Sequence, residues 1–395
     1  MTHFTQADLA RLMKPPGGDC VSLYIGTNPD PQKSHENTIR LKNLLARGEQ
    51  ELIERGMRSV VVRDVLAPGY ELFSKPSPEA AGSHGLALFC CEVHFKPVFL
   101  PETVDDALFV YERFHITPLL PIVAKNSVSF YLLAVSANHV RLFKGSRSEL
   151  TQLDVPQMPV NEMDTLNYQS AGRSIQAHGG VTLGKTGRAT VYHGQGGADD
   201  FKKEETMEFY RPIDHAVNAH LQDQHCPLFF AGIDNLFPMY REANNYADLM
   251  DEHISGNPDR MTEQDLHAAA WPLVARQMEC TTSTALGRCI RTATADPAAH
   301  ELAPVLRAAS SGRIDTLAVA GDKYQWGTFD ATTGRMFLPK NRTRQDQELL
   351  NLAAITTIEH GGHVVVVPAA ELPEQSLVAA AFRYPVTRTK AAERE

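Results

Sequence analysis

The stretch SSGRIDTLAVA, residues 310–320, and its later counterpart GGHVVVVP, residues 361–368, decide the fold class. Each holds a short run of apolar, mostly β-branched residues without polar alternation, the pattern of a strand buried on both faces. Helical patterns flank them. Asp296 followed by Pro297 reads as an N-cap and an N1 proline, and Leu302, Val305, Leu306 and Ala309 give the apolar face of the helix they start. Between the two strands Asp346 is the expected cap of a helix carrying Leu349, Leu352, Ala353 and Thr356, which ends at Gly361-Gly362. SLVAAAFRYP follows, then a polar tail. Alternation of this kind predicts an α/β/α sandwich over residues 278–387, with 388–395 frayed.

Working toward the N-terminus, SFYLLAVSANHVRLFKG (129–145) places two apolar runs around the polar corner Ser136-Ala137-Asn138-His139, a β-hairpin. From Gly172 to Gly197 the sequence is GRSIQAHGGVTLGKTGRATVYHGQGG, a glycine concentration found nowhere else in the chain. Such a stretch packs no core, and the reading is a long functional loop. Phe209, Ile213, Val217 and Leu221 then recur at steps of four, a helix starting near Asp199 with Pro212 inside it, and PLFFAGID is a buried strand. Together with the Trp271-Pro272 boundary these define a middle domain over 124–277. The first domain, 1–123, opens with the strand CVSLYIGT and a basic helix from Glu36 to about Arg55 whose apolar positions are Ile39, Leu44, Leu45, Leu52 and Ile53. It continues with GLALFCCEVHF and closes with FHITPLLPIV. The fold class is therefore α/β in three domains.

Length and composition agree with this division. At 395 residues the chain exceeds what one hydrophobic core requires. With 43% hydrophobic and 22% charged residues it is a globular rather than a disordered protein. The 38 Lys+Arg against 47 Asp+Glu leave a net charge of -9, so any nucleic-acid contact must be local. No export signal or membrane span is legible, and a cytoplasmic location is expected. The six cysteines contain no CxxC and read as reduced, mostly buried thiols. No Cys/His cluster has zinc spacing, and neither a metal nor a cofactor is expected.

Three motifs carry candidate chemistry. GGVTLGKT (179–186) satisfies a phosphate-loop pattern through Gly179, Gly184, Lys185 and Thr186, with Asp234 at the end of a strand, but no strand precedes it and no helix starts at Lys185. Asp199, Asp200, Glu204 and Glu205 form an acidic group that a nuclease would use for magnesium; first-turn acidic residues also follow from the helix dipole alone. HGQGGADD (193–200) offers bare backbone N–H groups next to a capped helix. Three basic groups, Lys33, Arg40, Lys42 and Arg47; His139, Arg141, Lys144 and Arg147; and Lys340, Arg342 and Arg344, are candidate phosphate contacts.

The order of the hairpin 129–145, the loop HGQGG, the amphipathic helix after it, PLFFAGID, SSGRIDTLAVA, GGHVVVVP followed by ELPE, and AAAFRY resembles the archaeo-eukaryotic class 1 peptide chain release factors. FHITPLLP, and LYIGT with its basic helix, are similar to the bacterial branch of that superfamily. The resemblance implies a ribonuclease-H-like middle domain, and the ribosome and tRNA as partners. In the family a Gly-Gly-Gln loop promotes hydrolysis of the peptidyl-tRNA ester. Gly196 and Gly197 match its glycines, Ala198 stands where the glutamine belongs, and Gln195 lies two residues early. The Ala198 N–H remains as a transition-state donor, the side-chain amide does not, and the enzymatic role is left open. His193, Arg173, Lys185, Arg188, Lys202 and Lys203 are the implied RNA contacts. The expected function is ribosome-associated action in termination, rescue or hibernation. A non-catalytic tRNA- or ribosome-binding module and a nucleotide-binding enzyme using Lys185 are the alternatives.

Overall fold

The computed structural model describes residues 4–28, 34–72, 82–136, 138–161, 197–222 and 224–384. Near the N-terminus Thr5 and Asp8 form a reciprocal capping box that starts helix α1 (Gln6–Met13). Strand β1 (Cys20–Gly26), helices α2 (Ser34–Glu54) and α3 (Ser59–Glu71), and strands β2 (Gly85–Cys91), β3 (His94–Leu100) and β4 (Ala107–Tyr111) follow. The strands make one antiparallel sheet in the order β3-β2-β1-β4. All seven residues of β1 are buried because the sheet is covered on both faces. Val21, Leu23 and Ile25 meet α2 and α3, whereas Cys20 and Tyr24 face the opposite cluster.

Two expectations change here. GLALFCCEVHF is a hairpin rather than one strand, turning at Glu92-Val93. In α2 the buried positions are Leu41, Leu44, Leu45 and Leu52, while Ile39 and Ile53 are exposed. The two isoleucines sit at the margins of an apolar stripe that Leu41 completes. The segment ends in a 3-10 turn (Thr117–Leu119) and helix α4 (Leu120–Asn126).

Residues 128–279 form a compact unit of their own. Strands β5 (Phe130–Val135) and β6 (Val140–Gly145) are the expected hairpin, and β7 (Leu150–Leu153) adds to its edge. Helix α5 (Gly197–Leu221), strand β8 (Leu228–Gly232), helix α6 (Phe237–Ala243) and strand β9 (Leu249–Ser255) follow. The five-stranded sheet runs β7-β6-β5-β8-β9, with β5, β8 and β9 parallel and β6 antiparallel. One face packs on Phe209, Tyr210, Ile213 and Val217 of α5. The other packs on Leu266, Ala270 and Val274 of helix α7 (Glu263–Ala295).

Residues 1–127 and 280–395 form the other unit. The expected join near Trp271-Pro272 lies within α7, which is continuous through Pro272; the division between the two units falls at 279/280 on the same helix. Asp296 caps only a 3-10 turn (Pro297–Ala299), and helix α8 (Leu302–Ser310) starts afresh behind it. Strand β10 (Ile314–Ala320) is followed by the small antiparallel strands β11 (Trp326–Asp330), β12 (Arg335–Phe337) and β13 (Gln347–Glu348). Helix α9 (Leu349–Glu359) leads to β14 (His363–Val367) and β15 (Val378–Phe382), which flank β10 on either side, parallel and antiparallel. Gly361, at φ 73°, supplies the left-handed residue that ends α9. Its cap is Glu348 and not Asp346: the Glu348 carboxylate accepts from the Leu350 and Asn351 N–H groups, and Asp346 accepts from Thr343 in the turn before.

The first and last segments share a core. Ala354 and Ile355 of α9 are fully buried in the same cluster as Phe109, Tyr111, Phe114 and Ile116. All six cysteines are free thiols, four of them buried. Cys90 and Cys91 point to opposite faces of the first sheet, and burial pushes the Cys90 thiol up to about 12.

Candidate functional site

The glycine-rich stretch joins the edge of the five-stranded sheet to α5. Its residues Arg173, Lys185, Arg188, His193, Gln195 and Gly196 lie outside the described residues. Gly197 and Ala198 are the first two residues of α5, and Lys202 and Lys203 lie in its early turns. The helix therefore starts two residues before the Asp199 expected from the sequence. That places the second glycine of the motif on regular helical backbone, at the end where free N–H groups point away from the helix.

The far half of α5 is fixed to the sheet. Phe209, Tyr210, Ile213, Val217 and Leu221 are buried against Tyr131, Leu133, Leu228 and Phe230. Pro212 lies inside the helix. Two residues on, the buried side chain of Asp214 accepts from Asn218 Nδ2 at 2.7 Å, from Asn245 N at 2.9 Å and from Asn245 Nδ2 at 2.6 Å. Each oxygen of this buried side chain is thereby hydrogen-bonded, as burial of a polar group requires. This tie between α5 and the loop after α6 is absent from the sequence reading. The only local signal is the pair Asn244-Asn245 after a helical pattern, since Asn favours such turns.

Other polar groups of the unit are committed within it. At the hairpin corner Asp259 accepts from Ser136 Oγ at 2.6 Å and Asn138 Nδ2 at 3.0 Å, and lies 3.2 Å from His139 Nδ1. Burial pushes this carboxyl up, but these hydrogen bonds outweigh it and hold it below the usual range. Asp234, the strand-end acid of the phosphate-loop reading, is held below the ordinary value by hydrogen bonds from Ser255 and His253, the latter at 3.2 Å. Among the described residues no group of His, Cys, Asp and Glu is arranged to hold a metal ion.

The basic groups are partly structural. Arg40 pairs with Asp106 and donates to the Gly26 carbonyl at 2.8 Å. Arg141 donates to the Pro258 carbonyl at 2.8 Å. Arg342 donates to the Val110 carbonyl at 2.6 Å and lies over the Trp326 ring, 3.6 Å from its centroid. Spacing alone did not reveal these, because every partner is distant in sequence. Lys33 lies outside the described residues.

Residues 130–276, the five-stranded unit almost in full, match the model of bacterial archaeo-eukaryotic release factor family 7. That unit is release-factor-like. No curated protein matches the sequence. Among solved structures, the chain is similar to the archaeal translation termination factor aRF1, with 15% identity, 96% of this chain and 99% of that one covered, and a TM-score of 0.23. Ribosome-bound archaeal Pelota gives 13% identity, 73% and 72% coverage and a TM-score of 0.39. S. cerevisiae Dom34 gives 10%, 74% of each chain and 0.34. No helix among the described residues is long and apolar enough to cross a membrane.

Proposed function

We propose that this release-factor-like protein acts on the ribosome, in termination, rescue or hibernation, by presenting the loop 172–197 toward the acceptor end of a bound tRNA. The observation that carries this reading is the family match over 130–276, the domain on which that loop is mounted. The sheet order β7-β6-β5-β8-β9, with helices on both faces, supports the ribonuclease-H-like assignment of this domain. His193, Arg173, Lys185, Arg188, Lys202 and Lys203 would contact RNA phosphates, in keeping with a cytoplasmic protein. Gly196, Gly197 and the N–H of Ala198 would face the ester, with Gln195 beside them.

Co-sedimentation of the purified protein with 70S ribosomes tests the proposal. Pelleting that weakens as salt rises is expected, and protein that stays free at every ionic strength overturns it. Ala198 favours binding without turnover, since the amide that would order water near the ester is missing. If the loop does hydrolyse peptidyl-tRNA, ribosome-dependent release of a labelled peptide will be lost on Gly196→Val with Gly197→Val. Release that survives this change rejects the catalytic assignment. The nucleotide-binding alternative predicts Mg-ATP binding that is abolished by Lys185→Ala; no binding in a saturating calorimetric titration removes it.

A further inference from the structure

On the first sheet a row of two thiols and an imidazole crosses three neighbouring strands. The antiparallel register that sets Val21 of β1 opposite Cys90 of β2 also sets Cys20 opposite Cys91. Across the Glu92-Val93 turn, Cys91 is in turn opposite His94 of β3. Cross-strand partners share a face of the sheet. Cys20 and Cys91 accordingly lie buried in one cluster with Phe114, against which the His94 ring packs with centroids 5.8 Å apart. Cys90 faces the other side of the sheet and takes no part.

Hydrogen bonding fixes how close the two thiols come. Arg342 donates to the Val110 carbonyl on β4, an edge strand, so that carbonyl points away from β1. Val21, opposite Val110, therefore turns its own N–H and C=O toward β2, and Val21 with Cys90 is a hydrogen-bonded pair. Thr27, an even number of residues further along, agrees: its N–H donates to the His84 carbonyl just before β2 at 2.9 Å. The two kinds of pair alternate along an antiparallel ladder. Cys20 with Cys91 is thus of the non-hydrogen-bonded kind, with Cα atoms about 4.5 Å apart and side chains at their closest. A disulfide spans Cα separations of about 4.4 to 6.8 Å, so these thiols can be joined with the strands where they are.

The three side chains differ in what each can do. Cys91 ends β2 beside the turn, where Val93 is 78% exposed, and Cys91 itself is 6% exposed. Cys20 is fully buried, and its Sγ donates to the Gly18 carbonyl at 3.4 Å. His94 Nε2 is buried with no hydrogen-bond partner, a cost that a proton-accepting role explains. Burial holds this imidazole below its usual range and Lys96 acts in the same direction, so the ring stays neutral and able to take a proton. Lys96 is itself paired with Asp8 at 2.6 Å, and Asp19, Glu112 and Arg113 lie around Cys20.

We propose that Cys91, Cys20 and His94 form a thiol–disulfide exchange site whose reagent is a small disulfide, R–S–S–R. Cys91 gives its proton to His94 and attacks one sulfur of the reagent; the Cys91–S–R bond forms, and the first thiolate leaves with that proton. Cys20 then attacks Cys91 Sγ, and its proton ends on the second thiolate released. Two cysteines are oxidised to one disulfide between β1 and β2, and the reagent is reduced to two R–SH. Burial raises the Cys20 thiol, which suits it to act second, on a sulfur already beside it.

The test is treatment of the reduced, folded full chain with cystamine, followed by alkylation of the remaining thiols and peptide mapping without reduction. A peptide pair joined through Cys20 and Cys91 is expected; the exposed Cys280 reports that the reagent is active. Cys20→Ser should halt the reaction at one cysteamine on Cys91, and Cys91→Ser should leave Cys20 unmodified. His94→Gln should slow loss of the Cys91 thiol on the order of a hundredfold while keeping the same link as end product. An unchanged rate overturns the role of His94. Should a variant fail to fold, wild type answers alone: recovery of Cys20 and Cys91 as free thiols after Cys280 has reacted, or a link through any other pair, overturns the site.

Discussion

Asn351 shows what a single polar residue decides. Replacing it with Ala strands the Ile116 and Thr117 N–H groups and the Phe114 carbonyl in a core from which water is excluded. A loss of about 3 kcal/mol is expected from unsatisfied buried groups of this kind, read as a lower urea midpoint. A loss below about 1 kcal/mol would mean that water replaces the amide. None of this was legible beforehand. Asp is the better N-cap type, so the sequence favoured Asp346, whereas Glu348 takes the role because the β11–β13 pairing brings Gln325 N onto its carboxylate. The FHITP motif was visible as a family-like string, but its partner Asn351 sits in a helix whose period marks only its apolar positions.

At the scale of elements, period 3.6 found α2 but misjudged its margins. Leu45 is fully buried beneath α3 and the sheet, while Ile39 is 46% exposed, although both belong to the same apparent stripe. Leu45→Ala should cost about 3 kcal/mol through lost burial and the cavity it leaves. Ile39→Ala should cost less than about 1 kcal/mol, because the side chain already meets water. Paired urea titrations of the two variants check the contrast, and equal losses would show that Ile39 is packed. Strands were read well where apolar runs stand alone, as in β5, β8 and β10; β14 is a strand too, but not one buried on both faces, because it lies at the edge of its sheet with only Val367 buried. They were merged where the turn is only Glu92-Val93, since neither residue is a turn former.

At the scale of the whole molecule, alternation showed an α/β chain, but not that its first and last segments share one core. Contacts such as Ile116 to Asn351 leave no periodic trace in either segment. The same blindness affects charge. With a net charge of -9, RNA binding must rest on few cations, and Arg40, Arg141 and Arg342 are already engaged within the fold. Of the three basic groups that leaves Lys42, Arg47, Lys144, Arg147, Lys340 and Arg344, and the proposed contacts of the loop and early α5 add Arg173, Lys185, Arg188, Lys202 and Lys203. If the last five meet phosphates, ribosome affinity should fall on the order of a hundredfold between 50 and 200 mM salt, about 0.7–0.9 logarithmic units of slope per contact. Replacing Arg173, Lys185 and Arg188 with Ala should therefore reduce the slope by roughly 2 to 3 in a pelleting titration. Arg40→Ala separates the two roles: it breaks the Asp106 pair and should lower stability while leaving the salt slope unchanged. A slope that drops with Arg40→Ala and not with the loop variant would move the RNA-facing surface off the glycine-rich loop and onto α2.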